Sequence, residues 1–562
     1  MIGVRDPLPG VIYPPLDRLK TYVDSGELAT TSLIEELIAA FARHAASPAL
    51  CTADGIITYA DLDSRTDRFA AALIDTGMKP LDRVLFQAGN SPELVIAIIA
   101  CLKAGLIPTC TLPAHREREI GYLGCHVDAR AHIVQGDDPK FDLEAFALKM
   151  QPDIPTIRHI ISLRGQPRAG VTRMEQLIAD TDAATAREAV RAVPRDAFQV
   201  AIFQLSGGTT GVPKVIPRMQ NDYLLNAMLT SQILGYRSDD VMFMPMPIIH
   251  NACMICFLMP TLLAGAAFVI PADMTPEAWA DAYRRTPPTF VGLIRALMPR
   301  LEATLDLVPE ALNHIRSFWS ADAARLLREK YGKPAYAMFG MSEGMNMYCR
   351  EGDPVEALDW TVGRPMSRFD EIRLVSPGTM NAVADEEIGE LMCRGPYTLS
   401  GYYNAPERNR EAFTLDGFYK PGDLLVRRLI DGQHYYAFAG RTKDVVDRGT
   451  EKINCEEVES AVSTHAAIAG CAVVGMPDPV LGERVCAYIV LRGIQSAPDI
   501  RDMQAHLQAL GLAKFKWPER IEVIEALPLT KVGKLDKAVL RTAIARKLGD
   551  ETAAQDETTG TV

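Results

Sequence analysis

Ser206-Gly207-Gly208-Thr209-Thr210-Gly211-Val212-Pro213-Lys214 follows the apolar run Val200-Ala201-Ile202-Phe203. An apolar run that ends in a small, hydroxyl-rich and glycine-rich turn reads as a buried strand feeding a loop whose backbone can close around an anion. Ser206, Thr209 and Thr210 add hydroxyl donors, and Lys214 adds a mobile positive charge. A flexible surface loop can share this composition. The order is not that of a P-loop, in which Lys and Ser/Thr follow directly on the second glycine so that a helix N-terminus meets the phosphates. Here Val212 and Pro213 separate Gly211 from the lysine.

At 562 residues the chain is too long for one core and suggests two or more domains. An apolar fraction of 48% and a charged fraction of 23% are ordinary globular values, so a large core is available. The net charge of −12 argues against nucleic acid as a partner, because phosphate backbones demand an excess of Lys and Arg. Eleven cysteines are scattered singly, with no CxxC pair and no Cys/His cluster at zinc spacing. That pattern points to neither a disulfide framework nor a structural metal, and a cytoplasmic location is the simplest expectation. The first fifteen residues carry several prolines and no long apolar core, so no secretory signal is expected. No uninterrupted apolar run reaches about eighteen residues, so no membrane span is expected.

Along the chain, helical spacing from Ser32 to Ala46 is followed by a short strand at Ile57-Thr58-Tyr59 and a helix from Ala60 to Thr76. Arg83-Val84-Leu85-Phe86, Leu94 to Ala104 and Ala131-His132-Ile133-Val134 continue the alternation, which predicts parallel α/β layers. Asp239 to Asn251 reads as a strand ending in a proline-bounded loop that presents His250 and Asn251. Ser320-Ala321-Asp322-Ala323-Ala324-Arg325 reads as a helix start. Phe339-Gly340-Met341-Ser342-Glu343-Gly344-Met345-Asn346 reads as a strand-to-turn element that carries one carboxylate, Glu343, and a single Glu in a turn is by itself usually just solvated. Gly417 to Asp423 and Gly440-Arg441-Thr442-Lys443-Asp444 follow. Beyond them a helix at Glu456 to His465, strands at Gly470 to Val474 and Val485 to Leu491, and a helix at Ile500 to Leu510 suit a small α+β domain. Residues 549–562 are polar and acidic, with disorder expected.

These motifs, in this order and over nearly the whole chain, resemble the adenylate-forming superfamily of acyl- and aryl-CoA synthetases, peptide-synthetase adenylation domains and luciferases. Val215-Ile216-Pro217-Arg218 and Asn221-Asp222-Tyr223 look like the branch of aryl-acid ligases typified by 2,3-dihydroxybenzoate-AMP ligase. The resemblance implies a large multi-layer N-terminal domain over 1–440 and a small mobile C-terminal domain over 441–548. It implies that Ser206, Gly207, Gly208, Thr209, Thr210, Gly211, Lys214 and Ser342 meet ATP, that Glu343 carries Mg²⁺, and that Asp423 and Arg441 hold the ribose. His250 is expected beside the reacting carboxylate, with Asn251, Cys256 and Gly340 against the acid, Lys443 as hinge and Lys534 at the acid carboxylate and α-phosphate. Amino-acid-activating members generally carry Asp where Asn251 stands, to hold an α-ammonium, so an uncharged amide implies an aryl acid. Two departures stand out: members usually have a Gly-Gly turn just before the Ser320 stretch, where this chain has Arg316-Ser317-Phe318-Trp319, and a second glycine where Thr450 stands.

The expected reaction is activation of a small aryl acid, salicylate or a related ortho-hydroxy acid, to aryl-AMP and pyrophosphate, then transfer to a thiol. The residues after 548 are too few for a carrier domain, so the thiol is expected from CoA or from the phosphopantetheine of a separate aryl carrier protein. Ala252-Cys253-Met254-Ile255-Cys256 is apolar apart from two thiols, which favours an acid less polar than 2,3-dihydroxybenzoate. A P-loop ATPase would release phosphate, a luciferase-like oxygenase would consume O₂, and a ligand-binding pseudoenzyme would not need Lys534, Glu343 and Asp423 together.

Overall fold

Leu94-Val95-Ile96-Ala97-Ile98-Ile99-Ala100-Cys101-Leu102 is apolar on every face of a helix, and such a helix must be covered on all sides. The computed structural model describes residues 2–166, 168–206, 213–448, 451–479, 481–493, 496–510, 512–530 and 535–559, and in it the helix Pro92–Lys103 is buried along its length. Ser91 caps it through the Leu94 N–H, and Pro92 fills the first turn, where no N–H is needed. Lys103 at the far end has no exposed surface. Its ammonium lies 2.6 Å from Asp63 and 2.5 Å from Asp67, and Arg187 reaches the same two carboxylates at 2.9 and 3.3 Å, so two cations balance two anions.

The chain divides into two units. The first comprises Met1–Ile372, Cys393–Tyr419 and Leu429–Tyr435. It holds a sheet of seven strands, in the order Thr172–Arg173, His159–Ser162, Ala129–Val134, Arg83–Gln87, Ile107–Thr109, Val200–Leu205 and Val215–Met219. All neighbours are parallel except the last pair. A second sheet of nine runs Arg364–Pro365, Asn346–Tyr348, Ala335–Gly340, Ser317–Ser320, Phe290–Gly292, Val241–Phe243, Ala267–Val269, Pro48–Thr52 and Gly55–Thr58. Its centre is parallel and its edges antiparallel. One apolar cluster joins Phe86, Ile133 and Ile161 of the first sheet to Phe268, Phe290 and Trp319 of the second through the helices between them. Two further clusters cover the outer faces, under the helices Glu117–His126 and Leu143–Met150 on one side and Pro276–Arg285 and Met298–Leu307 on the other. The result is helix, sheet, helix, sheet, helix, the layered α/β arrangement expected from the alternation.

The helix expected to start within the stretch Ser320 to Arg325 does so near its end. Ser317–Ser320 is a strand, and the helix begins at Ala324. The Ser320 hydroxyl accepts from the Ala323 N–H at 3.0 Å, and Asp322 accepts from the Arg295 N–H at 2.8 Å, which holds the intervening residues in a turn. Trp319 therefore points into the core, packing edge-on to Phe257 at 5.3 Å between ring centres.

The second unit comprises Arg373–Met392, Lys420–Arg428 and Tyr436–Val562. A ten-pair antiparallel hairpin, Ile468–Asp478 with Gly482–Leu491, is flanked by Arg520–Val523 in parallel and by the pair Val445–Arg448 and Glu451–Asn454. Helices Cys455–Ser463 and Ile500–Ala509 bury Val458, Val462, Met503 and Leu507 on one face, and Leu540 and Ile544 cover the other. The last helix, Lys537–Thr559, runs past residue 549, where composition alone predicts disorder. Extending an existing helix adds a hydrogen bond for each residue fixed, without the cost of a new nucleus. Among the described residues no helix is long and apolar enough to cross a membrane.

One buried group sets an acid limit on this fold. His132 lies mid-strand between Leu85 and Ile160, has no exposed surface, and neither ring nitrogen has a partner among the described residues. Burial lowers its pKa from 6.5 to about 3, so the folded chain keeps the ring neutral. Between these values the unfolded chain takes up a proton that the folded chain refuses, and stability falls as pH drops. Relative to His132→Phe, the wild type is expected to lose about 1.4 kcal/mol per pH unit below 6.5. Urea unfolding of both at pH 7.5 and 5.0 measures this, and equal losses would rule out the role of His132.

Candidate active site

The glycine-rich loop lies between two antiparallel strands, Val200–Leu205 and Val215–Met219. Where it begins and ends, the Ser206 N–H donates to the Lys214 carbonyl at 3.0 Å and the Lys214 N–H to the Ser206 hydroxyl at 3.2 Å. Gly207, Gly208, Thr209, Thr210 and Gly211 lie outside the described residues, as do Thr450 and Lys534. Three side chains leave this strand pair and organise what surrounds it: Lys214, Arg218 and Gln204.

The Lys214 ammonium donates to the Tyr402 hydroxyl at 2.9 Å and sits 4.4 Å from the centre of its ring. That hydroxyl donates in turn to Glu343 Oε1 at 2.7 Å and meets the Tyr419 hydroxyl at 2.7 Å. A phenol has one proton and two lone pairs, so with its proton directed at the carboxylate, Tyr402 accepts from both Lys214 and Tyr419. Burial, and then the Glu343 charge, push the Tyr402 pKa well up, so it stays a neutral donor.

Glu343 stands in the turn of the hairpin formed by Ala335–Gly340 and Asn346–Tyr348. Gly344 has φ 131°, and a Cβ there would lie 1.9 Å from the Tyr397 carbonyl, so only glycine allows this close approach. Gly340 pairs with Asn346, whose side-chain oxygen would be 2.2 Å from a Cβ at 340. Arg218, with no exposed surface, secures the turn from below. It donates to the Ser342 carbonyl at 3.1 Å, to the Tyr397 carbonyl at 3.2 Å, and to Asp222 at 3.0 Å. Burial raises the Asp222 pKa, and the Arg218 charge opposes that rise.

Gln204 Nε2 donates to the Tyr223 hydroxyl at 3.2 Å, and Tyr223 donates to Asn251 Oδ1 at 2.7 Å. With its oxygen engaged, the buried Asn251 amide keeps its NH₂ as the group to offer a ligand. His250 caps the turn Asn251–Cys253, its Nδ1 accepting from the Ala252 N–H at 3.2 Å. Cys256 is in the core rather than on an open wall. Its thiol accepts from the Tyr348 hydroxyl at 3.1 Å, and burial pushes its pKa up to about 12. It lies in a π-helical turn, Met254–Leu258, just before Pro260. Proline has no N–H to offer the carbonyl four residues back, and the Tyr236 hydroxyl supplies that bond to the Cys256 carbonyl at 2.8 Å.

Asp423 and Arg441 belong to the second unit, where Arg441 Nε lies 2.9 Å from Asp423 Oδ1. Thr442 donates both its N–H, at 2.9 Å, and its hydroxyl, at 3.1 Å, to the Gly422 carbonyl. These bonds fix the 3-10 turn Thr442–Asp444 that contains Lys443.

A family model described as AMP-binding enzyme matches residues 38–403, and a second, described as AMP-binding enzyme C-terminal domain, matches 457–534. The chain belongs to the AMP-binding enzyme family. Members similar to it include the salicyl-AMP ligase / salicyl-S-ArCP synthetase of Mycobacterium tuberculosis, 36% identical over 96% of this chain and 95% of that one. Another is the 2-hydroxy-7-methoxy-5-methyl-1-naphthoate–CoA ligase of Streptomyces carzinostaticus, 35% identical over 96% of this chain and 98% of that one. Among solved structures, apo MbtA of Mycobacterium smegmatis is 32% identical, covers 95% of this chain and 98% of its own, and superposes with a TM-score of 0.71. The adenylate-forming resemblance and the α/β class with a large N-terminal and a smaller C-terminal domain are thereby borne out.

Sequence reading gave no role to Tyr402, Tyr419, Arg218 or Tyr223, whose importance comes from contacts with distant residues. Arg218 carries the sharpest test of this architecture. Arg218→Ala removes one partner of a buried ion pair and strands Asp222, and is expected to destabilise the protein by about 3–5 kcal/mol. Adding Asp222→Asn should recover part of that loss. Chemical denaturation measures both, and a single variant as stable as wild type would refute the role.

Proposed function

We propose that this family member activates an aryl carboxylic acid, salicylate or a related ortho-hydroxy acid, with ATP and then passes the acyl group to a thiol, CoA in the first instance. The observation that carries the reading is Asn251, a buried uncharged amide whose oxygen is held by Tyr223, so that its NH₂ suits a carboxylate or an ortho hydroxyl and offers no anion to an α-ammonium. The names of the relatives, a salicyl-AMP ligase and a hydroxy-naphthoate–CoA ligase, support an aryl acid. The first of those names, which includes a salicyl-S-ArCP synthetase, favours a second reading in which a separate aryl carrier protein is the acceptor.

In the first step a carboxylate oxygen attacks the α-phosphorus, the bond from that phosphorus to the β-bridging oxygen breaks, and pyrophosphate leaves with the electron pair. Nucleophile and triphosphate are both anionic, so the protein's work is positioning and charge. Lys214 and the loop from Ser206 to Gly211 serve the phosphates, and His250 and Asn251 orient the acid. Asp423 and Arg441 take the ribose, and Lys534 meets the carboxylate and α-phosphate. Glu343 fits Mg²⁺, a hard cation held by one or two carboxylates together with substrate phosphates. Its carboxylate has one oxygen fixed by Tyr402. Bound there, Mg²⁺ would neutralise charge on the triphosphate. In the second step the thiol sulfur attacks the acyl carbon and AMP departs, with residues 441–548 turning about Lys443 between the steps.

Acid-dependent exchange of pyrophosphate into ATP tests the reading over benzoate, salicylate, 2,3-dihydroxybenzoate, a hydroxy-naphthoate and the amino acids. Exchange is expected with ortho-hydroxy aryl acids, and exchange with amino acids alone overturns it. Lys534→Ala is expected to slow adenylate formation by about 10²–10³ while sparing transfer from supplied aryl-AMP. Equal loss of both half-reactions would remove Lys534 from the α-phosphate.

A further inference from the structure

Between the loop lysine and the turn carboxylate stands a single oxygen atom. The Tyr402 hydroxyl accepts from the Lys214 ammonium at 2.9 Å and donates to Glu343 Oε1 at 2.7 Å, while Tyr402 is only 1% exposed and Glu343 only 7%. An ammonium on a flexible four-carbon stem and a buried carboxylate attract strongly at contact, because little water screens them. The Tyr402 hydroxyl lies between the two groups, and the Tyr419 hydroxyl meets it from 2.7 Å away. The ring beneath the ammonium, 4.4 Å from Nζ, gives Lys214 a second favourable contact that does not engage Glu343.

We propose that Tyr402 is a positioning residue whose hydroxyl keeps the Lys214 ammonium off the Glu343 carboxylate, so that Glu343 stays available to a divalent cation and Lys214 to the nucleotide phosphates. This rests on the roles given above to Glu343 and Lys214. Without the hydroxyl the two side chains close into an ion pair, and the cation must break that pair before it can bind. Tyr402 then acts on the metal requirement rather than on bond-making itself.

The test is binding of Mn²⁺, followed by calorimetry and by the electron paramagnetic resonance of the free ion, to the full chain at saturating ATP. Tyr402→Phe keeps the ring and removes one oxygen. It is expected to weaken Mn²⁺ binding about ten- to a hundredfold, the range of a hydrogen bond to a charged group. Lys214→Met added to Y402F should restore most of that affinity, because it removes the competing charge. A Tyr402 that only supported the fold would show no such restoration. Tyr419→Phe, which leaves the Tyr402 hydroxyl in place, should change the affinity by less than about threefold. Unchanged Mn²⁺ binding in Y402F, or failure of K214M to restore it, overturns the proposal. Glu343→Gln separates the layers: if it leaves Mn²⁺ binding intact, the metal role of Glu343 is wrong, whereas if it weakens binding and Y402F does not, only the role of Tyr402 is wrong. Should Y402F not fold, K214M alone is expected to bind Mn²⁺ at least as tightly as wild type, and weaker binding overturns the proposal.

Discussion

A guanidinium with no exposed surface must find partners for its charge and its donors, and Arg218 finds them in three separate stretches of chain. Asp222 lies in the first turn of the helix Gln220–Leu234, Ser342 belongs to the Glu343 turn, and Tyr397 approaches from a third direction. The planar fork of donors in arginine reaches all three where the single ammonium of lysine would not. The turn that carries Glu343 is thus held by its backbone, and its side chain remains open to chemistry. Tyr402 then orients that side chain. The geometry of the site depends on this buried charge more than on any residue expected to touch substrate.

The interior treats its polar groups in two opposite ways. Lys103 and Arg218 are met by carboxylates or carbonyls at hydrogen-bond distance. His132 has no such partner and stays neutral. A buried group keeps its charge only where the local geometry returns what desolvation removes. The first arrangement cross-links helices or fixes a turn. The second links stability to pH.

The parallel layers were legible because strand and helix periods alternate cleanly from Arg83 to Val134. The antiparallel return after Lys214 was not, since an apolar run followed by a glycine-rich loop says nothing about the direction of the next strand. Ser206, Lys214, Asn251 and Glu343 could be nominated as candidates because each lies within a contiguous motif. Tyr402 could not: 188 residues separate it from Lys214, and no local pattern marks a tyrosine that receives a bond from so far away. Trp319 shows a different limit. The resemblance marked Trp319 as one of the residues standing where members usually have a Gly-Gly turn, but β pairing places the indole mid-strand against Phe257, where register and not composition decides the face.

The bond from Tyr236 to the Cys256 carbonyl has a consequence for substitution at two positions. Pro260 creates an acceptor that its own helix cannot serve, and Tyr236, twenty residues upstream of that acceptor, meets the need. The two side chains therefore depend on each other. A residue with an N–H at 260 would ease the need for a hydroxyl at 236, whereas loss of the hydroxyl alone would take that donor from a carbonyl buried in the core.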